Sequence, residues 1–380
     1  MPEPGSPVPA TGAWLPGDPP GSRQFETLFD ARPHVLEAGG RLEHVTVAYE
    51  TWGTLAPDAS NALLVLHALT GDSHAAGPAG PGHAVVGWWR ELIGSGAPID
   101  TDRFFVICPN VLGGCQGTTG PSSAAPDGRP WAARFPLVTI RDQVVVEAAL
   151  ADRLGIERWA AVVGGSMGGM RAVEWTVAFP ERVERAVIIS VGAKATAEEI
   201  ALCSVQVRAI RLDPNWNGGN YYGAAPGAGP HAGLSTARSI GQISYRSELE
   251  FDERFGRDHQ GDEEPLEGGR YAIESYLEYH GDKLARRFDA NTYIVLSEAM
   301  NHHDVSRGRG DIAEALARVR AEVTIAGVSS DRLYPLRLQH ELAALIPNAS
   351  GVDVIQSSSG HDGFLIEHEA VGKIIRRSLQ

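Results

Sequence analysis

Residues 159–179 read WAAVVGGSMGGMRAVEWTVAF, from Trp159 to Phe179, and this stretch decides the fold. Trp159 to Val163 is an apolar run of strand length, and Met170 to Phe179 carries apolar residues at three- and four-residue spacing, as a helix with one buried face does. Between them, Gly164-Gly165-Ser166-Met167-Gly168-Gly169 satisfies the pattern Gly-x-Ser-x-Gly in the strand, sharp turn, helix context that gives it chemical meaning. A serine on such a strained turn crowds the residues two positions away, so small residues at 164 and 168 let its hydroxyl project from the sheet edge. The helix that begins there adds a dipole favouring nascent negative charge. A glycine-rich turn without chemistry is the plainer alternative, and the flanking strand and helix weigh against it.

Working outward, strand-like runs recur at 44–49, 61–67, 104–110, 185–191, 322–328 and 352–356. Several are continuously apolar, as in strands covered on both faces. Helical periodicity at 141–154, 170–179, 312–320, 337–346 and 369–379 falls between them. This alternation predicts an α/β fold, a mostly parallel sheet flanked by helices. It stops between residues 194 and 300, where helical patterns (197–212, 271–288, 291–300) are separated by Gly-rich turns and a polar run at 257–269. We expect 194–300 to be an inserted helical lid over the carboxyl edge of a core formed by 23–193 and 301–380. Residues 1–22, with seven Pro and four Gly, are expected to be a flexible tail.

A serine nucleophile needs a base, and the base an orienting acid. The loop after 322–328 carries Asp331, and the run 352–356 leads into Gly360-His361-Asp362-Gly363-Phe364. Alone, Asp331 reads as a turn residue and His361 as part of a surface loop. Together, after successive strands, Ser166, Asp331 and His361 follow the chain order of α/β-hydrolase triads. The oxyanion donors expected are the backbone N–H of Met167 and that of Leu69, in the loop His67-Ala68-Leu69-Thr70-Gly71-Asp72 after an early strand. His67 reads as structural support for this loop.

The 380 residues carry 47 Asp+Glu against 33 Lys+Arg, a net charge of −14 that argues against a nucleic-acid partner. Three cysteines without a Cys-x-x-Cys pair fit a reducing compartment, and no apolar run approaches the ~18 residues of a membrane span. The N-terminus does not read as a secretion signal, so a cytoplasmic location is expected. Asn301-His302-His303-Asp304 looks like metal ligands, but adjacent histidines point apart and no further ligand pair has suitable spacing, so no metal is expected. Cys115 reads as a small residue in a tight loop.

The elements Ala68 to His74, Asn110 to Ser123, Gly164 to Met170 and Gly360 to Phe364, in this order, resemble the homoserine O-acetyltransferase family, from about Phe25 to the C-terminus. The resemblance implies an α/β-hydrolase fold and an acyl-CoA-dependent enzyme of methionine biosynthesis, with acetyl-CoA as co-substrate, L-homoserine as acceptor and no further cofactor. It implies the triad Ser166, Asp331 and His361 and the oxyanion donors Leu69 and Met167. Arg238 matches a lid arginine that holds the amino-acid carboxylate, with Tyr245 nearby, and Asp362 matches an acid for the substrate ammonium. It also implies a homodimer built through the lid, where Ile200, Leu202, Val205, Val207 and Ile210 face either a partner or the lid interior. A succinyl donor, a serine acceptor, or a serine esterase or other hydrolase are the alternatives, and arginines are expected at the tunnel mouth.

Overall fold

The computed structural model describes residues 8–380. Its central sheet has eight strands: β1 (Gln24–Leu28), β2 (Val45–Trp52), β3 (Ala62–Leu66), β4 (Phe105–Pro109), β5 (Trp159–Gly165), β6 (Val183–Ile189), β7 (Glu322–Val328) and β8 (Ala349–Ile355). They lie in the order β1-β2-β4-β3-β5-β6-β7-β8. Only the β1/β2 and β2/β4 pairs are antiparallel. Alternate residues of the central strands enter different cores: Leu64, Leu66, Val162 and Ile188 pack on one side, and Leu63, Val65, Val163 and Val187 on the other. That is why these strands read as continuous apolar runs. Each such side chain contributes about 1.5–3 kcal/mol relative to an exposed one.

The helices are α1 (Ile140–Arg153), α2 (Met167–Ala178), α3 (Ala197–Leu212), α4 (His231–Tyr245), α5 (Glu248–Arg254), α6 (Ala272–Ala285), α7 (Ala290–Asn301), α8 (Ile312–Leu316), α9 (Leu336–Leu345), α10 (Gly363–Ile366) and α11 (His368–Ser378). Thr139 with Asp142, and Thr196 with Glu199, form capping boxes that start α1 and α3. Helices α3 to α7 all lie between β6 and β7 in the chain. The two ends of this helical segment meet at a narrow neck, where Ala195 N–H donates to the His303 carbonyl (2.9 Å) and Val305 N–H to that of Ala193 (3.1 Å). Buried His303 adds a contact from Nε2 to the Gly192 carbonyl at 3.1 Å.

One expectation needs correction, three elements went unread, and the apolar residues of α3 divide between buried and exposed. Residues 1–7 of the expected tail lie outside the described residues, but 10–14 are packed, and 15–22, although exposed, are tied down by contacts such as Ser22 N–H to His83 Nε2 at 3.1 Å. Thr11 Oγ1 donates to Asp289 Oδ1 (2.7 Å), Trp14 N–H donates to the Cys115 carbonyl (2.9 Å), and Ala10 and Ala13 are buried. A Pro/Gly-rich segment has no core of its own, yet its thin backbone fits against other elements: a Cβ on Gly12 would sit 2.3 Å from Phe288 N. Strand β1 and helices α4 and α5 carried no signal we read, since β1 is a half-exposed edge strand and α4 mixes Gly, Ser and Arg with its apolar residues. On α3, Val207 and Ile210 are buried, whereas Ile200, Val205 and Leu212 are exposed.

Candidate active site

Strand β5 ends at Gly165 and α2 starts at Met167, so Ser166 makes the whole turn, with φ 57° and ψ −126°. This conformation is costly for a non-glycine residue and persists because its surroundings fix it. Ser166 N–H donates to the Ile189 carbonyl at 3.0 Å. The glycines are demanded by backbone: a Cβ on Gly164 would lie 2.3 Å from the Gly168 carbonyl oxygen, and one on Gly168 would lie 2.0 Å from that of Leu66. The crowding at position 168 therefore comes from β3 rather than from the serine.

Strands β7 and β8 deliver the partners. Ser166 Oγ lies 2.9 Å from His361 Nε2, and His361 Nδ1 lies 2.7 Å from Asp331 Oδ2. Because an ionised carboxylate only accepts, Nδ1–H donates to Asp331 and Nε2 is left to accept the serine hydroxyl. Asp331 Oδ1 is held by the N–H groups of Leu333 (2.9 Å) and Tyr334 (2.8 Å). All three side chains are buried. Burial disfavours the imidazolium, but the Asp331 carboxylate, by charge and hydrogen bond, with Asp362 and Glu199 adding to it, raises His361 above the ordinary histidine value. Protonation there stabilises the fold at low pH and is lost as pH rises through the folded value, whereas a general base must be neutral. Acyl-enzyme formation should therefore fall on acidification with a midpoint above 6.5, and a pH profile of kcat/KM flat down to pH 5 would refute this.

The loop after β3 faces the serine from the other side, and Leu69 lines the same cavity as Ser166. Its base is a buried network. Arg171, fully buried on α2, donates to Glu147 Oε1 (2.6 Å) and to the His67 carbonyl, and Trp175 Nε1 donates to Glu147 Oε2 (2.8 Å). His67 Nδ1–H donates to the Ala68 carbonyl (2.8 Å), and Nε2 accepts from Val111 N–H (3.1 Å). Burial and the Arg171 charge push His67 down to about 3, so its ring is neutral.

The cavity at the serine has a volume of about 190 Å³, and Arg238, Tyr245 and Asp362 line it with His361. The Arg238 guanidinium lies 5.3 Å from the Tyr245 ring centre. Asp362 is not the lone acid its sequence context suggests: Arg246 Nε approaches its Oδ2 at 3.3 Å, and Arg246 also bonds Glu250 at 2.9 Å. Sequence reasoning missed Glu199, Tyr334, Arg246 and Arg287. Glu199 had a visible signal, Thr196-x-x-Glu199, but that pattern announces a helix cap, not a cavity. Two adjoining cavities share Trp88 and Arg287 with this one. One, about 460 Å³, sets Arg23, Arg286 and Arg287 against Asp18 and Asp72; the other, about 490 Å³, sets Arg90, Arg287 and Lys283 against Glu91. Neither cavity is acidic, and Lys283 stands with the arginines of the second.

Among the described residues, one group of His and acidic side chains has ligand atoms close enough for a metal: Glu50, His74 and His83, within 4.8 Å of one another. They are spread over 34 positions, so no local motif announces them. The His74 and His83 rings are stacked, with centroids 3.8 Å apart and planes 9° from parallel, so their in-plane lone pairs do not converge on one point. His74 Nδ1 bonds Glu50 Oε2 at 2.9 Å and His83 Nε2 accepts from Ser22 N–H at 3.1 Å. Cys108, Cys115 and Cys203 are buried, and burial raises all three thiols, that of Cys203 to about 12. None has thiolate character.

A family profile described as alpha/beta hydrolase fold matches residues 61–367. The chain is 59% identical over 373 residues to a homoserine O-acetyltransferase of Thermobifida fusca (strain YX), covering 98% of each. In three dimensions it is similar to the homoserine O-acetyltransferase from Bacillus anthracis, with a TM-score of 0.86, 30% identity and coverage of 94% of this chain and 97% of that one. It is also similar to esterase E22, with a TM-score of 0.84, 28% identity and coverage of 94% and 99%. A hydrolase and a transferase thus share this architecture, and the sequence identity separates them: the chain belongs to the homoserine O-acetyltransferase family of the alpha/beta hydrolase fold.

Proposed function

We propose that the protein is a homoserine O-acetyltransferase that moves acetyl from acetyl-CoA to the γ-hydroxyl of L-homoserine through an acyl-serine, a step of methionine biosynthesis. The observation that carries this reading is a hydrogen-bonded Ser166–His361–Asp331 relay opening into one cavity that also contains Arg238 and Asp362, opposite charges suited to a zwitterion. His361 takes the Ser166 proton as Oγ attacks the thioester carbonyl, and the N–H groups of Leu69 and Met167 hold the oxyanion. The tetrahedral intermediate collapses, the C–S bond breaks, and coenzyme A leaves with the proton carried by His361. Homoserine then enters with its carboxylate on Arg238, beside Tyr245, and its ammonium towards Asp362. His361 removes the γ-hydroxyl proton as the γ-oxygen attacks the acyl carbon, the bond from that carbon to Ser166 Oγ breaks, and Ser166 recovers the proton from His361. Asp331 stays ionised throughout and holds the imidazole in the productive tautomer.

Neither a metal nor a further cofactor has a part in this scheme. A cytoplasmic location and a homodimer through the lid belong to the same reading. Exposed Ile200, Val205 and Leu212 on α3 support the dimer, and a monomer in sedimentation would remove it. Among the described residues, no helix is long and apolar enough to cross a membrane.

Water attacks acyl-serine in esterases of the same architecture, so the assay must separate transfer from hydrolysis. With acetyl-CoA and homoserine we expect parallel initial-velocity lines, slow thioester hydrolysis without acceptor, and no transfer to simple alcohols. Intersecting lines, or thioester cleavage as fast without homoserine as with it, would overturn the transferase reading. The same assay with succinyl-CoA and with serine should give lower rates than the proposed pair.

A further inference from the structure

The cavity contains a carboxylate for which the scheme above has no use. Glu199 sits on α3 with Cys203 and Gln206, at spacings of four and three residues, so the three share one face of the helix, and all three line the cavity at Ser166. The Glu199 side chain is only 4% exposed. One oxygen, Oε2, accepts the capping hydrogen bond from Thr196 N–H at 3.2 Å, and the other, Oε1, has no partner. A buried carboxylate oxygen without a donor costs free energy that a ligand can return. Tyr334 Oη, in the same cavity wall, is a second buried polar atom without a partner.

We propose that Glu199 reads the α-amino group of the acceptor, its free Oε1 accepting a hydrogen bond from the ammonium. The inference rests on the transferase reading and adds a specificity residue to it. An ammonium has three N–H donors, and Asp362, whose charge is already shared with Arg246, does not supply them all with acceptors. Glu199 and Asp362 both act on His361 by charge, so both carboxylates flank the catalytic imidazole on which the acceptor hydroxyl must converge. Burial, opposed in part by the Thr196 hydrogen bonds, pushes Glu199 up to about 7. The empty cavity therefore does not hold a fully charged, uncompensated carboxylate, and the arriving cation favours its ionisation. An acceptor lacking the amino group would leave that buried carboxyl unpaired, and an unpaired buried polar group is what lets a pocket reject an analogue.

The test compares homoserine with 4-hydroxybutyrate, its deaminated analogue, in the wild type and in Glu199→Gln. Glutamine keeps the shape and the cap, since a Gln side chain serves a capping box as Glu does. The expected result is a fall in kcat/KM for homoserine of on the order of 10- to 100-fold, the span for losing a hydrogen bond to a charged group. The preference for homoserine over the analogue should fall by the same factor. Acylation of the enzyme by acetyl-CoA in a single turnover, which feels Glu199 only through its charge on His361, should fall much less than transfer to homoserine. Glu199→Asp should recover part of the preference. Thr196→Ala, which weakens the cap but keeps the carboxylate, should leave the preference unchanged. An unchanged preference in Glu199→Gln, or acylation falling in parallel with transfer, would overturn the assignment. So would a loss of preference in Thr196→Ala equal to that in Glu199→Gln. Wild-type enzyme that transfers no acetyl to homoserine would overturn the transferase reading itself, and the assignment with it.

Discussion

Replacing Ser166 by alanine is expected to lower acetyl transfer by on the order of 10⁶-fold while the fold and substrate binding persist. The size follows from the relay being one unit. His361 Nε2, 2.9 Å from Ser166 Oγ, and Asp331, 2.7 Å from His361 Nδ1, activate that hydroxyl, and every later proton transfer by His361 needs the acyl-serine that only Ser166 can form. What remains is the oxyanion donors and the binding groups, which act on a reaction that no longer has a nucleophile. The substitution should not unfold the protein. Ser166 Oγ bonds only His361 among the described residues, and the strained backbone at φ 57° is no worse for alanine than for serine. Two measurements decide it: steady-state transfer to homoserine, and intact mass after mixing with acetyl-CoA alone. Wild type should gain one acetyl group and Ser166→Ala none. Transfer by the variant within tenfold of wild type would remove Ser166 from the mechanism.

The second large effect is on stability. Arg171→Ala should cost about 3–5 kcal/mol, the range for breaking a buried ion pair by removing one partner. Glu147 would lose its cation, and burial already outweighs Arg171 and Trp175 in holding its carboxyl above the usual carboxylate range. The His67 carbonyl would lose its donor as well. That carbonyl begins the loop bearing Leu69, so the variant should also lose transfer rate beyond its loss of folded protein. The double variant Arg171→Met with Glu147→Leu separates the two consequences. Removing both charges should restore most of the stability, while transfer stays impaired because the loop remains untethered. Denaturant unfolding of the three proteins, with kcat measured on the folded fraction, reads both quantities. A cost below about 1 kcal/mol for Arg171→Ala would mean that this network does not hold the loop.

How much of this was legible beforehand depends on whether a feature is local. The elbow at Ser166 was readable because strand, turn and helix are contiguous and each has its own period. Asp331 and His361 were readable because each follows a readable strand, β7 with a nearly continuous apolar run and β8 with a shorter one broken by Asp353. Arg238, Tyr245 and Asp362 came through the family resemblance, and only the coordinates paired Asp362 with Arg246, from a different chain segment. Strand β1 escaped because one exposed face leaves it short and polar, and the N-terminal segment escaped because composition describes what a segment can bury by itself, not what a side-chain hydrogen bond to Asp289 and a backbone one to Cys115 can fix.

By itself, then, the sequence determined the α/β order, the helical interruption, the nucleophile and the chain order of its partners, all set by hydrophobic period and by turn chemistry within a few residues. Only the tertiary structure decided which charges share the cavity, which are already paired and which are free. Glu199 looks like a helix cap in one dimension and becomes a cavity wall in three. Electrostatic environment is a sum over neighbours brought together from many parts of the chain, and burial sets how strongly each of them counts.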